Sequence, residues 1–597
     1  MQANYPLRTL VAASLAVFPA LPACAQPGAA EEAEQARLVA FFQAYLEDEF
    51  QRRPLEATRL GEHRHDDGLD DISPEARAAN VERDRRTLAE LPGKIDRGKL
   101  SRAGQIDFEI LEQHLKRSLW LAENTRPFEE DPRTYNDYIT ECVYLLLTQS
   151  TLPRERNVRN SIARMAHIPR VIETARKTLK NPAAVLVEVA SRQVQGAIAF
   201  YTSGIFELAG EAPGAGELSK AAAPVVEALK EYRKFLDEDL LPRSRGDWRI
   251  GREKFATKLD LVLDAGMSAA EVLEAAEAEA VRVESEMYVI ARQLWSGRFP
   301  REPLPPDDPA GRRETVRRVM AELSQEHGEP EGLLADATRT VDSIKEFIRA
   351  KDILRLPEPD ACRLIEMPEF QRGFSVAYLN NAPPLDPRAS SYYAISPPPS
   401  SWDARRVTSY LEEYNRHMLK ILTIHEGYPG HYVQLEYSNR HPSPIRKVLA
   451  AGIFAEGWAV YTEQMMLDQG FGGGDPALRL HQLKFYLRAV INAILDHGMH
   501  CSDMTDEQAL ELLIQRGFQS EGEAVGKVLR AKQSSCQLST YFVGRMAFCR
   551  LRQEIQREIG EKFDLGRYHE AVLAHGTLPV KYLPELVRDR LKQPRLE

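Results

Sequence analysis

The stretch HEGYPGH at residues 425–431 decides how the rest of the chain is interpreted. It places Glu426 directly after His425, and a second histidine, His431, closes it. Zinc hydrolases use a histidine and an adjacent glutamate, with another histidine one helical turn later, to supply two metal ligands and a general base. In that pattern the histidines are about four residues apart, whereas here they are six apart.

The wider spacing cannot close a metal site on an unbroken helix. Six residues turn an α-helix through roughly 600°, so the two rings would point about 120° apart and lie ~9 Å apart along the axis. Pro429 has no N–H to donate to the carbonyl of His425. Gly427 and Gly430 relax the backbone on either side. We therefore predict a kinked or widened turn that brings His431 back to the face of His425.

Two apolar stripes with helical spacing flank this stretch. The first directs His425 towards the interior and consists of Val407, Leu411, Tyr414, Met418, Ile421 and Leu422. Glu426 then lies one position further round, within reach of a metal-bound water. The second stripe includes Ile453, Val460 and Glu456. A buried carboxylate is costly unless it is paired or bound to metal, so Glu456 is the candidate third ligand.

Each of these features also has an ordinary structural explanation. His425 could be a core histidine with satisfied hydrogen bonds. The Pro-Gly pair could simply end a helix in a turn. Glu456 could be buried against an arginine. The sequence alone leaves these alternatives open.

Two residues further along the chain are candidate supporting groups. His500 ends the segment DHGMH at residues 496–500 and could orient a ligand, bind a substrate carboxylate or stabilise an oxyanion. The spacing alone favours the alternative, a histidine that the dipole at a helix C-terminus stabilises. Tyr541 could donate a hydrogen bond to a developing oxyanion, or it could be a core tyrosine.

The composition limits the classes of function. The 597 residues are 43% hydrophobic and 28% charged, which is typical of a globular protein. The formal net charge is −10 and the pI is about 5.9. Because no basic stripe dominates the sequence, we expect no nucleic-acid partner. After the N-terminus, no segment has the length and apolarity predicted for a membrane span.

The N-terminus resembles a secretion signal. Arg8 is followed by an apolar run, and the small residues around Cys24 fit cleavage after residue 25. We therefore predict a signal peptide at residues 1–25 and a periplasmic or secreted protein. A lipid anchor at Cys24 is the second choice, because Leu21–Cys24 also resembles a lipoprotein cleavage box. A disordered cytosolic N-terminus is the third.

The pattern is helical nearly throughout and predicts a mainly α fold. We divide the mature chain into an N-terminal helical region, 26–355, and a catalytic helical region, 356–597, within one continuous fold. Ser268 and Glu271 have the spacing of a capping box and predict the start of a long helix. A further helix is predicted over roughly residues 313–350.

The residue composition changes between residues 356 and 400. Prolines recur there, with tyrosines between them, and helices cannot run through such a stretch. Short strands that form a rim of the active site are one interpretation, because an edge strand could hold an extended substrate backbone. A long packed connection is the other.

The chain resembles the domain of unknown function 885 family, which is grouped with the zincin-like metallopeptidases. The resemblance covers most of the mature length. Its segments are GEHRHDD at 61, GREKF at 251, the Tyr/Pro-rich stretch at 392–399, HEGYPGHY at 425, AEGWAVY at 455, DHGMH at 496, STYFVG at 539 and KFDLGRYHEAVLAHGTLP at 562. It implies a mostly helical zincin-like fold, similar to those of thimet-oligopeptidase-like and thermostable-carboxypeptidase-like enzymes.

The resemblance also implies roles for individual residues. It makes His425, His431 and Glu456 zinc ligands and Glu426 the base, while His500 and Tyr541 match recurrent family positions. The expected function is a zinc-dependent peptidase acting on short peptides, of carboxypeptidase or oligopeptidase type. The alternatives are a zinc hydrolase of another amide or ester, and a non-catalytic helical binding protein.

Overall fold

The computed structural model describes residues 28–367, 372 and 377–594. The predicted signal peptide, residues 1–25, and the candidate lipid anchor at Cys24 lie outside the described residues. The described chain is mainly helical and has one small sheet, which confirms the predicted α class. None of its helices is both long and apolar enough to cross a membrane.

The elements follow one another along the chain. The α-helices are α1 Ala29–Arg52, α2 Pro54–Leu60, α3 Pro74–Lys94, α4 Arg102–Asn124, α5 Pro127–Glu130, α6 Arg133–Thr148, α7 Arg154–Met165, α8 Ile168–Thr178, α9 Ala184–Ala199, α10 Ile205–Ala209, α11 Ala215–Lys234, α12 Leu241–Arg243, α13 Arg252–Leu263, α14 Ala269–Arg298, α15 Pro309–Ser324, α16 Leu333–Ala350, α17 Ala404–Glu413, α18 Arg416–Glu426, α19 His431–Asn439, α20 Pro444–Val448, α21 Gly452–Asp468, α22 Pro476–Cys501, α23 Asp506–Glu511, α24 Glu521–Gln533, α25 Thr540–Ile559, α26 Leu565–Leu573 and α27 Leu583–Leu591. The strands are β1 Cys362–Glu366, β2 Ala377–Asn380 and β3 Ser391–Ile395.

Short segments of other helix types join these elements. Within the part of the chain that the structure describes, three are π-helical turns, at Phe200–Gly204, Phe235–Leu240 and Leu512–Arg516. The others are 3-10 turns, at Arg97–Lys99, Pro330–Gly332, Gln537–Ser539, Gly560–Lys562 and Val580–Tyr582.

Two sequence predictions about helix boundaries have different outcomes. The capping box is confirmed: Ser268 Oγ accepts a hydrogen bond from the Glu271 N–H at 3.3 Å, and Glu271 Oε2 accepts one from the Ser268 N–H at 2.8 Å. The single helix predicted over residues 313–350 is wrong, because α15 ends at Ser324 and α16 begins at Leu333. Pro330 in the connection has no N–H and disfavours the α conformation of the residue before it.

The region between residues 356 and 400 contains strands, as one of the two interpretations predicted. The strand order is β1-β3-β2, with β1 parallel and β2 antiparallel to β3. β2 is therefore an edge strand, and it packs beside α18. This arrangement puts the sheet edge next to the end of the helix that carries His425.

One hydrophobic core contains residues from both sides of position 355. α14 packs along α22, and α21 packs closely against α25. A Cβ atom on Gly457 of α21 would lie 2.4 Å from the Cα atom of Gly544 of α25. A second core is formed by residues between Leu55 and Leu240. The two predicted regions thus share a core, and the second core lies wholly within the first region.

Candidate metal centre

The HEGYPGH stretch joins two separate helices. α18 ends at Glu426 and α19 begins at His431, with a cis peptide bond between Tyr428 and Pro429. The Gly430 N–H donates to the carbonyl of Ile424 at 3.0 Å. The predicted kinked or widened turn is therefore corrected to a complete break between two helices. His431 consequently lies beside His425 rather than on the far side of a continuous helix.

Three side chains converge across the break. Glu456 Oε2 lies 3.8 Å from His425 Nε2 and 3.5 Å from His431 Nε2. All three candidate ligand atoms lie within 4.8 Å of one another. Tetrahedral coordination with metal–ligand bonds of ~2.1 Å places ligand atoms about 3.4 Å apart. The three atoms therefore lie close to the separation that a shared ion requires.

The chemistry of this donor set fits a zinc ion. Two imidazoles and one carboxylate form a known set of protein ligands for catalytic zinc, which leaves a fourth position open. Among the described residues, the buried Glu456 Oε2 accepts no hydrogen bond of ordinary length. Its distance to His431 Nε2 is 3.5 Å, longer than the roughly 2.7–3.2 Å of most N–H···O hydrogen bonds. A buried carboxylate oxygen in this state is costly. A cation between the three side chains would remove that cost.

The protonation states of the three groups agree with such a role. Burial and the neighbouring His431 lower the pKa of His425 to about 3, so its imidazole is neutral. Burial lowers the pKa of His431, but contact with Glu456 outweighs this effect and raises it overall. Burial raises the pKa of Glu456, but His431 and His425 lower it overall, so this carboxylate is ionised at neutral pH.

Glu463 orients the first histidine and is not among the site residues predicted from the sequence. Its Oε1 accepts a hydrogen bond from His425 Nδ1 at 2.8 Å, which leaves Nε2 of His425 to face Glu456. Glu463 is fully buried, and this burial raises its pKa well above the ordinary value. Because Glu463 follows Glu456 by seven residues, the two lie on one face of α21, two turns apart. That spacing is the signal that would have identified it.

Glu426 points into the same region from the end of α18. Its Oε2 accepts a hydrogen bond from the Leu379 N–H of β2 at 3.1 Å. Burial raises the pKa of Glu426 to about 7, and His431 offsets this only in part. A carboxylate with a near-neutral pKa exchanges protons efficiently at neutral pH.

These groups lie around a cavity of about 440 Å³. It is lined by His425, Glu426, His431, Glu456 and Tyr541, among others. The Tyr541 hydroxyl accepts hydrogen bonds from Arg530 Nη2 at 3.1 Å and from Gln537 Nε2 at 3.3 Å. Burial raises the pKa of Tyr541, so it stays a phenol with a proton to donate.

The structure does not bring His500 to this cavity. α22 passes the cavity at Phe485, Arg488, Ala489 and Asn492, and His500 follows eight residues later, about 12 Å further along the helix. His500 Nε2 donates to the carbonyls of Ala531 at 3.1 Å and Ser534 at 3.0 Å. The structure therefore does not bring His500 together with the candidate ligands for the predicted role at an oxyanion, and His500 instead ties α22 to the end of α24.

The fold and the site together define a class: mainly helical proteins with a candidate metal centre. In this chain the candidate ligands are two histidines and one glutamate, and a second glutamate, Glu426, lines the same cavity. The chain belongs to the family described as bacterial protein of unknown function (DUF885), whose model matches residues 54–587. Among curated proteins, none matches the chain.

Two examples represent the solved structures that share this fold. One is a candidate lipoprotein of unknown function from Shewanella oneidensis; it is 30% identical, the TM-score is 0.79, and the match covers 92% of this chain and 99% of that one. The other is a candidate lipoprotein from Colwellia psychrerythraea; it is 18% identical, the TM-score is 0.76, and the match covers 94% of this chain and 99% of that one. The fold therefore extends over nearly the whole of each chain.

Proposed function

We propose that the protein is a zinc-dependent peptidase of the zincin-like type that hydrolyses short peptides. The observation that carries the proposal is the approach of three ligand atoms, from His425, His431 and Glu456, to within 4.8 Å of one another. Glu426, the predicted base, lines the same cavity. Pockets that bind small molecules have volumes of about 300–1,000 Å³, so a cavity of about 440 Å³ favours short peptides over folded proteins.

His425, His431 and Glu456 would hold the ion, and Glu463 would orient His425. Zinc in such a site lowers the pKa of a bound water towards ~7 and polarises a carbonyl group. Glu426 takes the proton from the attacking water and then delivers it to the leaving amine.

Two further groups bind the reacting peptide. The Tyr541 phenol donates a hydrogen bond to the oxygen of the tetrahedral intermediate, on which negative charge develops. β2 offers an edge strand to the extended backbone of the substrate. Because the Leu379 N–H of this strand contacts Glu426, a peptide paired with β2 passes directly by the base.

The location of the protein agrees with this function. Both of these similar structures are described as candidate lipoproteins, which supports a periplasmic or secreted protein. A lipid anchor at Cys24 is the second choice, and it places the same cavity outside the cytoplasm.

Elemental analysis combined with digestion of a peptide library tests the proposal. We expect about one zinc ion per purified chain. Cleavage of short peptides should stop when a chelator removes the metal and return when zinc is added. A zinc protein that cleaves only esters or other amides would indicate the alternative hydrolase. A protein without stoichiometric metal, and unaffected by the chelator, would be a binding protein.

Glu463 gives a test of the metal centre that does not depend on turnover. Glu463→Ala is expected to weaken zinc binding by about 10- to 100-fold, because a ligand histidine then loses the partner that orients it. Glu463→Gln keeps an acceptor oxygen and should retain most of the affinity. Competition with a chelator of known affinity measures both variants. Equal affinity of Glu463→Ala and the unmodified protein would contradict the assigned role.

A further inference from the structure

Three cationic side chains line the cavity from α22 and α24. They are Arg488 on α22 and Lys527 and Arg530 on α24, and we refer to them as the cationic wall. α22 and α24 pack against each other, so the three residues belong to one continuous surface. The proposed hydrolysis step does not use any of these side chains.

Lys527 is the most informative of the three. Only 6% of its surface is exposed, yet it lines the cavity. With the residues that the structure describes, its ammonium group forms neither a hydrogen bond nor an ion pair. Burial, together with Arg488 and Arg530, lowers its pKa well below the ordinary value. The lowered pKa expresses the cost of keeping a buried ammonium group without an anion. An anionic ligand in the cavity would remove that cost and keep Lys527 protonated, so the position of this amine at a cavity indicates such a ligand.

The charges around Lys527 leave an excess of positive charge. Arg488 is paired with Glu523 at 2.9 Å. The next acidic group, Glu413, is paired with Lys484 at 2.9 Å. Arg530 contacts only neutral side chains on this wall, as its Nη2 donates to Gln537 Oε1 and to the Tyr541 hydroxyl. After these pairs are formed, Lys527 and Arg530 have no anionic partner on the wall. Arg530 also helps to lower the pKa of Glu456, but that carboxylate is the candidate metal ligand.

We propose that the cationic wall binds the C-terminal α-carboxylate of the peptide substrate. The inference rests on the proposed peptidase function. Tyr541 links the cationic wall to the rest of the cavity, because it is hydrogen-bonded to Arg530 and lines the same cavity as the three candidate metal ligands. The cavity of about 440 Å³ has room for only a short stretch of peptide. If the scissile bond lies at Glu426, the C-terminal end of the substrate therefore lies close to the cationic wall. The enzyme is then a carboxypeptidase that releases the last residue.

The side chains between the charged groups indicate which terminal residues fit. The lining of the same cavity also includes three apolar side chains, those of Leu422, Phe485 and Ala489. This surface favours a C-terminal residue with an apolar side chain, because burial of apolar area is favourable.

The test compares peptides of one sequence with a free C-terminal acid or a C-terminal amide. The unmodified enzyme is expected to prefer the acid by about 10- to 100-fold in kcat/KM, the range for a hydrogen bond to a charged group. Lys527→Met should lose this preference, with the rate on the acid falling and the rate on the amide changing less than about threefold. Equal rates of the unmodified enzyme on acid and amide would overturn the inference.

A third peptide separates the two sources of a carboxylate. It carries a C-terminal amide and glutamate as its last residue. We expect it to be cleaved as slowly as the corresponding glutamine amide. Cleavage as fast as that of the free acid would mean that the wall binds an acidic side chain instead, and it would overturn the assignment to the α-carboxylate.

A matched control and a binding measurement complete the test. Lys532→Met lies on the same helix, but Lys532 is paired with Asp506 and does not line the cavity, so the acid preference should persist. Calorimetry on Glu426→Gln, with and without Lys527→Met, measures binding of both peptides without turnover. Lys527-dependent binding of the acid would support the inference even if no peptide were cleaved, whereas equal binding of acid and amide would overturn it.

Discussion

Glu426→Gln is expected to lower kcat by roughly 10²- to 10⁴-fold, the contribution typical of general acid–base catalysis. The amide has the shape of the carboxylate and can still accept the hydrogen bond from Leu379, so the local fold should persist. The glutamine side chain, however, cannot take a proton from the attacking water. The variant should therefore bind zinc as the unmodified protein does, which elemental analysis measures beside steady-state kinetics.

Glu436→Gln is the matched control for this substitution. Glu436 lies on α19, five residues after His431, and interacts with Arg440 at 3.6 Å. It does not line the cavity. Its replacement should change kcat less than about twofold, as for substitutions away from the reacting groups. Full activity of Glu426→Gln, or equal losses in both variants, would contradict the role of Glu426 as the base.

The parts of the site that are close in sequence could be predicted. His425 and Glu426 are adjacent, and the apolar stripe before them indicates the direction of His425. The Pro-Gly pair indicates an interruption before His431. Glu456 could be identified because a carboxylate on an apolar stripe needs a partner. These inferences depend on local backbone geometry and on the cost of burying a carboxylate. Both follow from residue types and their spacing along the chain.

Other parts depend on how distant helices pack, and no local pattern indicates this. Lys527 and Arg530 have the spacing of an ordinary solvated helix face. Their position on the cavity wall follows from the packing of α24 on α22. The position of His500 outside this cavity has the same cause. The sequence places it on a helix that lines the site but cannot show which turns of that 26-residue helix do so.

The interruption at Pro429 is also more complete than the sequence predicts, because α18 and α19 are separate helices. A proline with flanking glycines predicts a distortion, but its extent depends on what packs around it. Here the carbonyl of Pro429 accepts a hydrogen bond from the indole N–H of Trp458 at 2.8 Å. Trp458 lies on α21, two residues after Glu456. The connection between the two histidines is thus anchored to the helix that carries the third candidate ligand.

Gly430→Ala is expected to disrupt both the fold of this connection and zinc binding. A Cβ atom at Gly430 would lie 1.9 Å from the carbonyl oxygen of His425 and 2.3 Å from that of Ile424. Both contacts are with backbone atoms, so no flexible side chain can move aside. The connection would have to shift, and His431 with it. We expect a loss of about 3 kcal/mol or more in the free energy of unfolding, as for other severe steric changes at buried sites.

The loss of zinc affinity should be larger than at Glu463, because a ligand moves rather than its orienting partner. Gly196→Ala on α9 is the control, since a Cβ atom there meets no heavy atom within 4 Å. In a helix interior this change should add up to about 1 kcal/mol of stability. Denaturant unfolding and zinc titration of both variants measure the effects. Normal zinc affinity in a folded Gly430→Ala protein would show that the close approach of this connection to α18 is not what positions His431, and the metal centre would then need another structural basis.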